Sequence, residues 1–350
     1  MSGNKPKPSK FPNVHVFASC FTSMSAPVVH SANLFIAREI PGLSKIDIFL
    51  EAKLPPRRKQ INLVKNLRLT KFLSNACLVV IPHEWALIRG NRAYVNYLKS
   101  LSQFKTLLIF NTGDVSPKVF IPNSVEIRTF LHPGEKSSNK IIVPYPIAIR
   151  DFERRKLSET PTISFMGFVP NLSIGSFVGL NGFSMLHPIM SSPFLVRKIS
   201  IFKLKRLKSK FQVNLVVRKK FTSVYRNIDF DRHSVEFQKQ LYMSDYVLCP
   251  RGFGNTSMRF YETISAGRRP ILIQTLGQLP KINQQEGWSK HVLIVRLFSN
   301  WTRLILKDWQ ELAESENDYE AWQMKQRNFF REELSFEQYL ARVFDDFICK

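Results

Sequence analysis

The chain is poor in acid: 27 aspartates and glutamates stand against 51 lysines and arginines, and none falls between Thr160 and Ile228. The resulting net charge of +24 calls for an acidic counterpart such as nucleic acid, an anionic membrane surface, a sugar nucleotide or an acidic polysaccharide. Cysteine is also scarce. Cys20, Cys77, Cys249 and Cys349 are far apart, with no CxxC pair and no zinc spacing, so neither a disulfide framework nor a structural zinc site is expected. No segment reaches the roughly 18 consecutive apolar residues of a spanning helix, and Val14–Phe21 is too short and interrupted for a signal h-region. The expectation is a cytoplasmic protein in a reducing compartment, at most peripheral at the inner face of a membrane. Internal repeats and low-complexity tracts are absent as well.

What is present is ample apolar material. With 44% hydrophobic residues and 29 Phe the chain can offset the entropy of ordering, and 350 residues exceed the roughly 250–300 at which a single core stops growing. Short apolar runs alternate with longer amphipathic segments, the pattern of βα units around parallel sheets. Strands are expected at Asn13–Ala18, Lys45–Leu50, Ala76–Ile81, Lys105–Phe110 and Lys140–Val143, with a helix over Arg92–Leu101. Pro144, Pro146 and the charged run Asp151–Lys156 break that pattern. The expected organisation is a disordered stretch 1–10, a first Rossmann-like domain 11–150, a linker 151–161, a second Rossmann-like domain 162–300, and a helical tail 301–350. In the second half, strands are expected at Thr162–Met166, Phe211–Val217, Tyr246–Leu248, Arg269–Ile273 and Val292–Val295, and helices near Val235–Met243 and Met258–Ala266.

Chemistry concentrates between Asp245 and Pro280. An apolar strand ending at Cys249 runs into a loop with Gly252 and Gly254, and a helix opens near Thr256 and Ser257. That order makes a phosphate cradle, because free backbone N–H groups and the positive end of the helix dipole stabilise an anion while glycine admits it closely. Arg251 and Arg259 flank the loop and can fork onto phosphate oxygens, and Glu262, one turn on, can accept from ribose hydroxyls. By spacing alone a tight turn with a capped helix is the plainer reading of the glycines, since such turns are common connectors.

The segment Tyr246–Pro280 resembles the signature of the exostosin family of glycosyltransferases: an apolar strand, Cys-Pro-Arg-Gly, Ser-x-Arg-x-x-Glu, then small residues before Pro and a strand. Further similar positions are Phe165-Met166-Gly167, Val143-Pro144-Tyr145 and Gly287-Trp288-Ser289-Lys290, and more loosely Ile81-Pro82-His83-Glu84-Trp85 and Asn111-Thr112-Gly113-Asp114, so the resemblance spans roughly residues 75 to 295. It implies a GT-B architecture of two Rossmann-like domains facing across a cleft. It also implies a nucleotide-sugar donor, with UDP expected, transfer to a glycan or lipid-linked glycan, and inversion at the anomeric carbon. Carried over by position, Glu262 resembles the ribose ligand, Arg251 and Arg259 the diphosphate contacts, and Ser257 the point where helix meets phosphate. Two positions depart from the pattern: Gln274 where an acidic residue is usual, and Arg268 where a small residue or cysteine is usual. Both positions bear on sugar and base specificity.

An inverting displacement needs a general base, and Asp114, Glu84 and His83 are candidates because each follows an expected strand of the first half. A helix N-cap for Asp114 and a solvated pair for His83 and Glu84 are the plainer readings. No cofactor or metal is expected. Asp229-Phe230-Asp231 is the one Asp-x-Asp by spacing, and it reads as a surface turn. The basic segment Arg197–Lys220 interleaves Ile199, Ile201, Phe202, Leu204 and Leu207 with cations, either as an ordinary amphipathic helix or as a contact for anionic membrane or polyanionic acceptor. A nucleic-acid-binding module lacks any supporting motif. A non-catalytic glycosyltransferase homologue acting as partner subunit is the main alternative.

Overall fold

The computed structural model describes residues 79–343 apart from 114–116, 132–134, 136–137, 146, 148–151, 170–191, 219–229, 253, 255, 276, 284–286, 316–318, 337 and 341. The stretch 1–10, the strands expected at Asn13–Ala18 and Lys45–Leu50, and Cys20, Cys77 and Cys349 lie outside the described residues. The chain divides into two compact units, one ending at Thr129 and the other formed mainly by Ile142–Tyr339, with 130–141 shared between them and the last residues from Leu340 joining the first. It is an α/β protein with seven α-helices among the described residues. None of these helices is long and apolar enough to cross a membrane.

The first unit carries a sheet of order β1-β2-β3-β4: β1 (Val79–Glu84), β2 (Leu107–Phe110), β3 (Ser124–Arg128) and β4 (Lys140–Ile142). The pairs β1·β2 and β2·β3 are parallel. Between β1 and β2 run α1 (Trp85–Ile88) and α2 (Arg92–Ser102). Asn91 caps α2, its Oδ1 accepting from the Tyr94 N–H at 3.1 Å. Tyr94, Leu98 and Leu101 then pack with Ile81, Leu107 and Ile109 in one buried cluster. β3 is a strand the sequence pattern did not announce, since Glu126 and Arg128 interrupt its apolar run.

The second unit is doubly wound. Its strands are β5 (Thr162–Phe168), β6 (Gln212–Arg218), β7 (Tyr246–Cys249), β8 (Arg269–Ile273) and β9 (Leu293–Val295), in the order β6-β5-β7-β8-β9 with every pairing parallel. Helices α3 (Pro193–Arg206) and α6 (Trp301–Ser315) cover one face, burying Val196, Ile201, Ile305 and Trp309 against Ile163, Tyr246 and Ile271. On the other face α4 (Phe230–Tyr242), α5 (Met258–Ser265) and α7 (Tyr319–Phe329) bury Phe237, Leu241, Phe260, Ile264 and Phe329 against Val247 and Cys249. Burial on both faces explains why β7 reads as an unbroken apolar run.

Two polar knots lock the amino-terminal edge of this sheet. The buried Asp245 carboxylate accepts from Arg155 Nε at 2.7 Å, from the Thr162 N–H at 2.8 Å and from Tyr319 Oη at 3.1 Å. Arg269 and Tyr246 share the second carboxylate, Asp308, at 2.6 and 2.7 Å. Gly267 ends α5 with φ of +70°, where a Cβ would lie 2.7 Å from the Gln323 carbonyl and 2.8 Å from the Phe152 ring. Only glycine meets both demands.

Candidate functional site

The site follows from strand order. β5 connects outward to β6 and β7 to β8, on opposite sides, so the carboxyl ends of the adjacent strands β5 and β7 form the switch point at which open α/β sheets bind ligands. The Arg251–Ser257 loop leaves β7 at that point and leads into α5.

The Gly252 N–H bonds the Thr256 carbonyl at 2.9 Å, closing the loop on itself. A Cβ on Gly252 would sit 3.3 Å from that carbonyl, a tight fit, and 3.7 Å from Arg197 Nη2, an ordinary contact. Gly254, Thr256 and Ser257 are all buried. Ser257 stands at the N-cap of α5 in extended conformation, yet its side chain makes no capping bond, and no acidic residue occupies the first turn. The positive end of α5 therefore faces the loop without a first-turn carboxylate to offset it.

Around this loop the chain assembles guanidinium groups. Arg251 is buried, and burial together with the charge of Arg197 pushes its pKa down to about 10. Arg197, from the first turns of α3, ties the two strand ends together: Nε donates to the Arg251 carbonyl and Nη1 to the Phe168 carbonyl, both at 2.8 Å. Arg259 lies with its guanidinium 3.6 Å from the Phe237 ring centroid and pairs with Glu262 at 2.7 Å. Arg218, at the end of β6, has its pKa lowered by burial and by Arg259, and Glu236 works in the opposite direction. Cationic groups crowded together at partial burial make an environment that an anion relieves.

Of the residues singled out by sequence, Arg251, Gly252, Gly254, Thr256, Ser257, Arg259 and Glu262 lie together on this one loop and helix. Arg259 and Glu262 are coupled: the buried Glu262 carboxylate already serves an arginine. Arg197 and Arg218 were missed as site residues, because they lie 54 and 33 positions upstream of Arg251 in a segment that reads only as basic. Nothing local marks them. Cys249, just before the loop, is no nucleophile: burial pushes its thiol up to about 12, and Sγ lies 3.7 Å from Thr263 Oγ1.

Other expectations are corrected. Arg197–Lys220 is not one helix; α3 ends at Arg206, and β6 takes up Gln212–Arg218. Phe230 and Asp231 begin α4 and do not form a turn, and Asp229 lies outside the described residues. Among the described residues no cluster of three His, Cys, Asp or Glu could hold a metal. Arg268 sits at the far end of β8 from the loop, fully buried, donating to the Leu241, Tyr242 and Glu153 carbonyls and to Gln323. Its departure from the family pattern thus concerns packing. Gln274 does follow β8 on the site side and is exposed.

In the first unit, His83 and Glu84 are the last residues of β1 itself, beyond an irregularity in the pairing after Ile81, and not part of a following loop. Asp114 lies outside the described residues. At the end of β2, Asn111 belongs to a buried cluster whose partners Glu126 and Arg128 the sequence did not flag. Asn111 Nδ2 donates to the Pro117 carbonyl at 2.8 Å and to Glu126 Oε2 at 3.1 Å, and Arg128 Nη1 reaches the same oxygen at 3.0 Å.

No protein-family model and no curated protein matches the chain. Among solved structures, a crystal structure of TarM, a glycosyltransferase, matches over 72% of this chain and 57% of its own, at a TM-score of 0.35 and 12% identity. The chain spans a little over half the length of that protein, and a likeness so slight carries no functional weight.

Proposed function

We propose that the protein is a glycosyltransferase that seats the diphosphate of a nucleotide-sugar donor, in the first place a UDP-sugar, on the Arg251–Ser257 loop. The sugar passes from there to a glycan or lipid-linked glycan acceptor. One observation carries the reading: a self-closed glycine loop at the switch point of a parallel sheet, opening a helix and surrounded by Arg197, Arg251 and Arg259. The exostosin resemblance of the same segment supports it.

In this reading an acceptor hydroxyl attacks the anomeric carbon as the bond to the β-phosphate oxygen breaks, inverting that centre. The departing diphosphate gains charge, which Arg251, Arg197 and the N-terminus of α5 absorb; preoriented donors of this kind replace the divalent ion other transferases use. Arg259 turns part of its fork to phosphate, and Glu262 receives the ribose hydroxyls. The hydroxyl proton leaves to a base assigned to the first unit, with Asp114, Glu84 and His83 as the candidates. The GT-B arrangement belongs to the same proposal.

Calorimetry with UDP tests the donor site. Glu262→Gln should weaken binding by about 1.5–3 kcal/mol, the worth of a hydrogen bond to a charged group, and Arg259→Ala at least as much. Asp114→Asn and Glu84→Gln should keep UDP affinity, and whichever is the base should lose about 10²–10⁴ in turnover. Unchanged UDP affinity in both Glu262→Gln and Arg259→Ala would overturn the assignment.

A further inference from the structure

Helices α3 and α6 lie on the same face of the second unit, and their outer surfaces have an unusual composition. The segment 160–228, which includes α3, has no carboxylate, and neither has 287–307, which runs through β9 into α6. The fold brings the two together: Lys203 Nζ, on α3, donates to the Ser299 carbonyl at 2.7 Å and lies 5.2 Å from the Trp301 ring centroid. On either side of this junction a large aromatic side chain stands in solvent. Phe202 is 57% exposed and Phe298 is 68% exposed, each next in sequence to a residue of the Lys203–Ser299 bond. Leu306, on α6, is exposed as well.

Exposed cations accompany these apolar tips on the same two segments. Lys198, Lys205 and Arg206 on α3, and Arg296 and Arg303 on the other segment, are exposed. The Arg206 guanidinium lies 4.8 Å from the Phe202 ring centroid. Counter-charge comes in along the second half of α6, where Glu311 and Glu314 are exposed and Glu311 pairs with Lys307 at 3.5 Å. Positions 198, 202, 205 and 206 fall on one face of α3, opposite the buried Val196 and Leu204, with the buried Ile201 at its border. The helix thus turns an apolar face to the core and a basic face with a phenyl ring at its centre to solvent.

We infer that this α3–α6 face docks on an anionic lipid surface, the exposed phenylalanines entering the headgroup and acyl boundary while the surrounding lysines and arginines meet lipid phosphates and carboxylates. Lipid is favoured by charge complementarity combined with exposed aliphatic and aromatic tips, which a purely polar polyanion would leave unsatisfied. Docking here would hold the second unit at a membrane where a lipid-linked acceptor resides, but it rests on different residues from the donor site.

Co-sedimentation of the full chain with vesicles decides the matter. Binding is expected on phosphatidylcholine vesicles carrying about a quarter phosphatidylserine, little binding on phosphatidylcholine alone, and a steep loss as salt rises through about 0.15 M, where the Debye length is roughly 8 Å. A Phe202→Ser/Phe298→Ser variant should lose about tenfold in partition, the scale of withdrawing two partly inserted rings. A Lys198→Glu/Lys205→Glu/Arg206→Glu variant should fail to bind. Both should retain UDP affinity, which separates this proposal from the donor-site assignment. Equal partition of the unmodified chain onto neutral and anionic vesicles overturns the inference without any variant. So does binding to single-stranded RNA with none to vesicles, or vesicle binding unchanged in both variants.

Discussion

Gly267 and Cys249 show how single positions are fixed by what surrounds them. At Gly267 the left-handed backbone and the 2.7 Å approach to the Gln323 carbonyl act together. Gly267→Ala should therefore destabilise the second unit by at least about 2 kcal/mol, read as a lowered urea midpoint at unchanged slope. For Cys249 the sign follows from burial: the thiolate is the reactive form, and a thiol raised to about 12 stays protonated at neutral pH. Alkylation of this residue in the native protein should be negligible from about pH 7 to 9 and should rise only with denaturant, tracking unfolding. Rapid native-state labelling of Cys249 would contradict the packing of β7 on α5.

At the scale of elements, the connection of Asp245 to Arg155, Thr162 and Tyr319 joins the start of β7 to the approach to β5 and to α7. Removing that carboxylate leaves the Arg155 charge and a backbone N–H without their acceptor. Asp245→Ala should cost about 3–5 kcal/mol of stability, measured by chemical denaturation, with UDP affinity retained below the transition, because the knot lies at the opposite end of β7 from the loop. The same reasoning explains β3. Its glutamate and arginine look like surface residues in the sequence, but they are buried as a pair, with Asn111 sharing the carboxylate. A strand that buries its charges in partnership has no apolar run to reveal it. β7 and β8 were legible because both of their faces are apolar.

For the molecule as a whole, a ligand that binds one unit should stabilise that unit. UDP at about 100 times its dissociation constant should raise the second unit's stability by about 2.7 kcal/mol, seen as hydrogen-exchange protection concentrated in β7, its following loop and α5. Protection spread evenly through the first unit would argue against this location. On the proposed reading sugar transfer should survive chelator, because guanidinium groups would supply the charge at the loop. Activity lost in chelator and restored by manganese would refute that assignment.

The sequence by itself determined the α/β class, the alternation of strands and helices, and the place of the glycine loop between β7 and α5. Each of these rests on short-range physics: hydrophobic periodicity, turn residues and the order strand, loop, helix. Tertiary structure alone decided what the charges do. Arg197 reads as one cation in a basic run until the fold places it against the Arg251 carbonyl, 54 residues away. Arg268 looks like a departure at the site until its guanidinium is seen fastened to Glu153, Tyr242 and Gln323 at the other end of the sheet. A side chain's charge is written in the sequence, but its partner and its burial are set by residues dozens to more than a hundred positions away, and those two quantities govern whether it binds, braces or meets solvent.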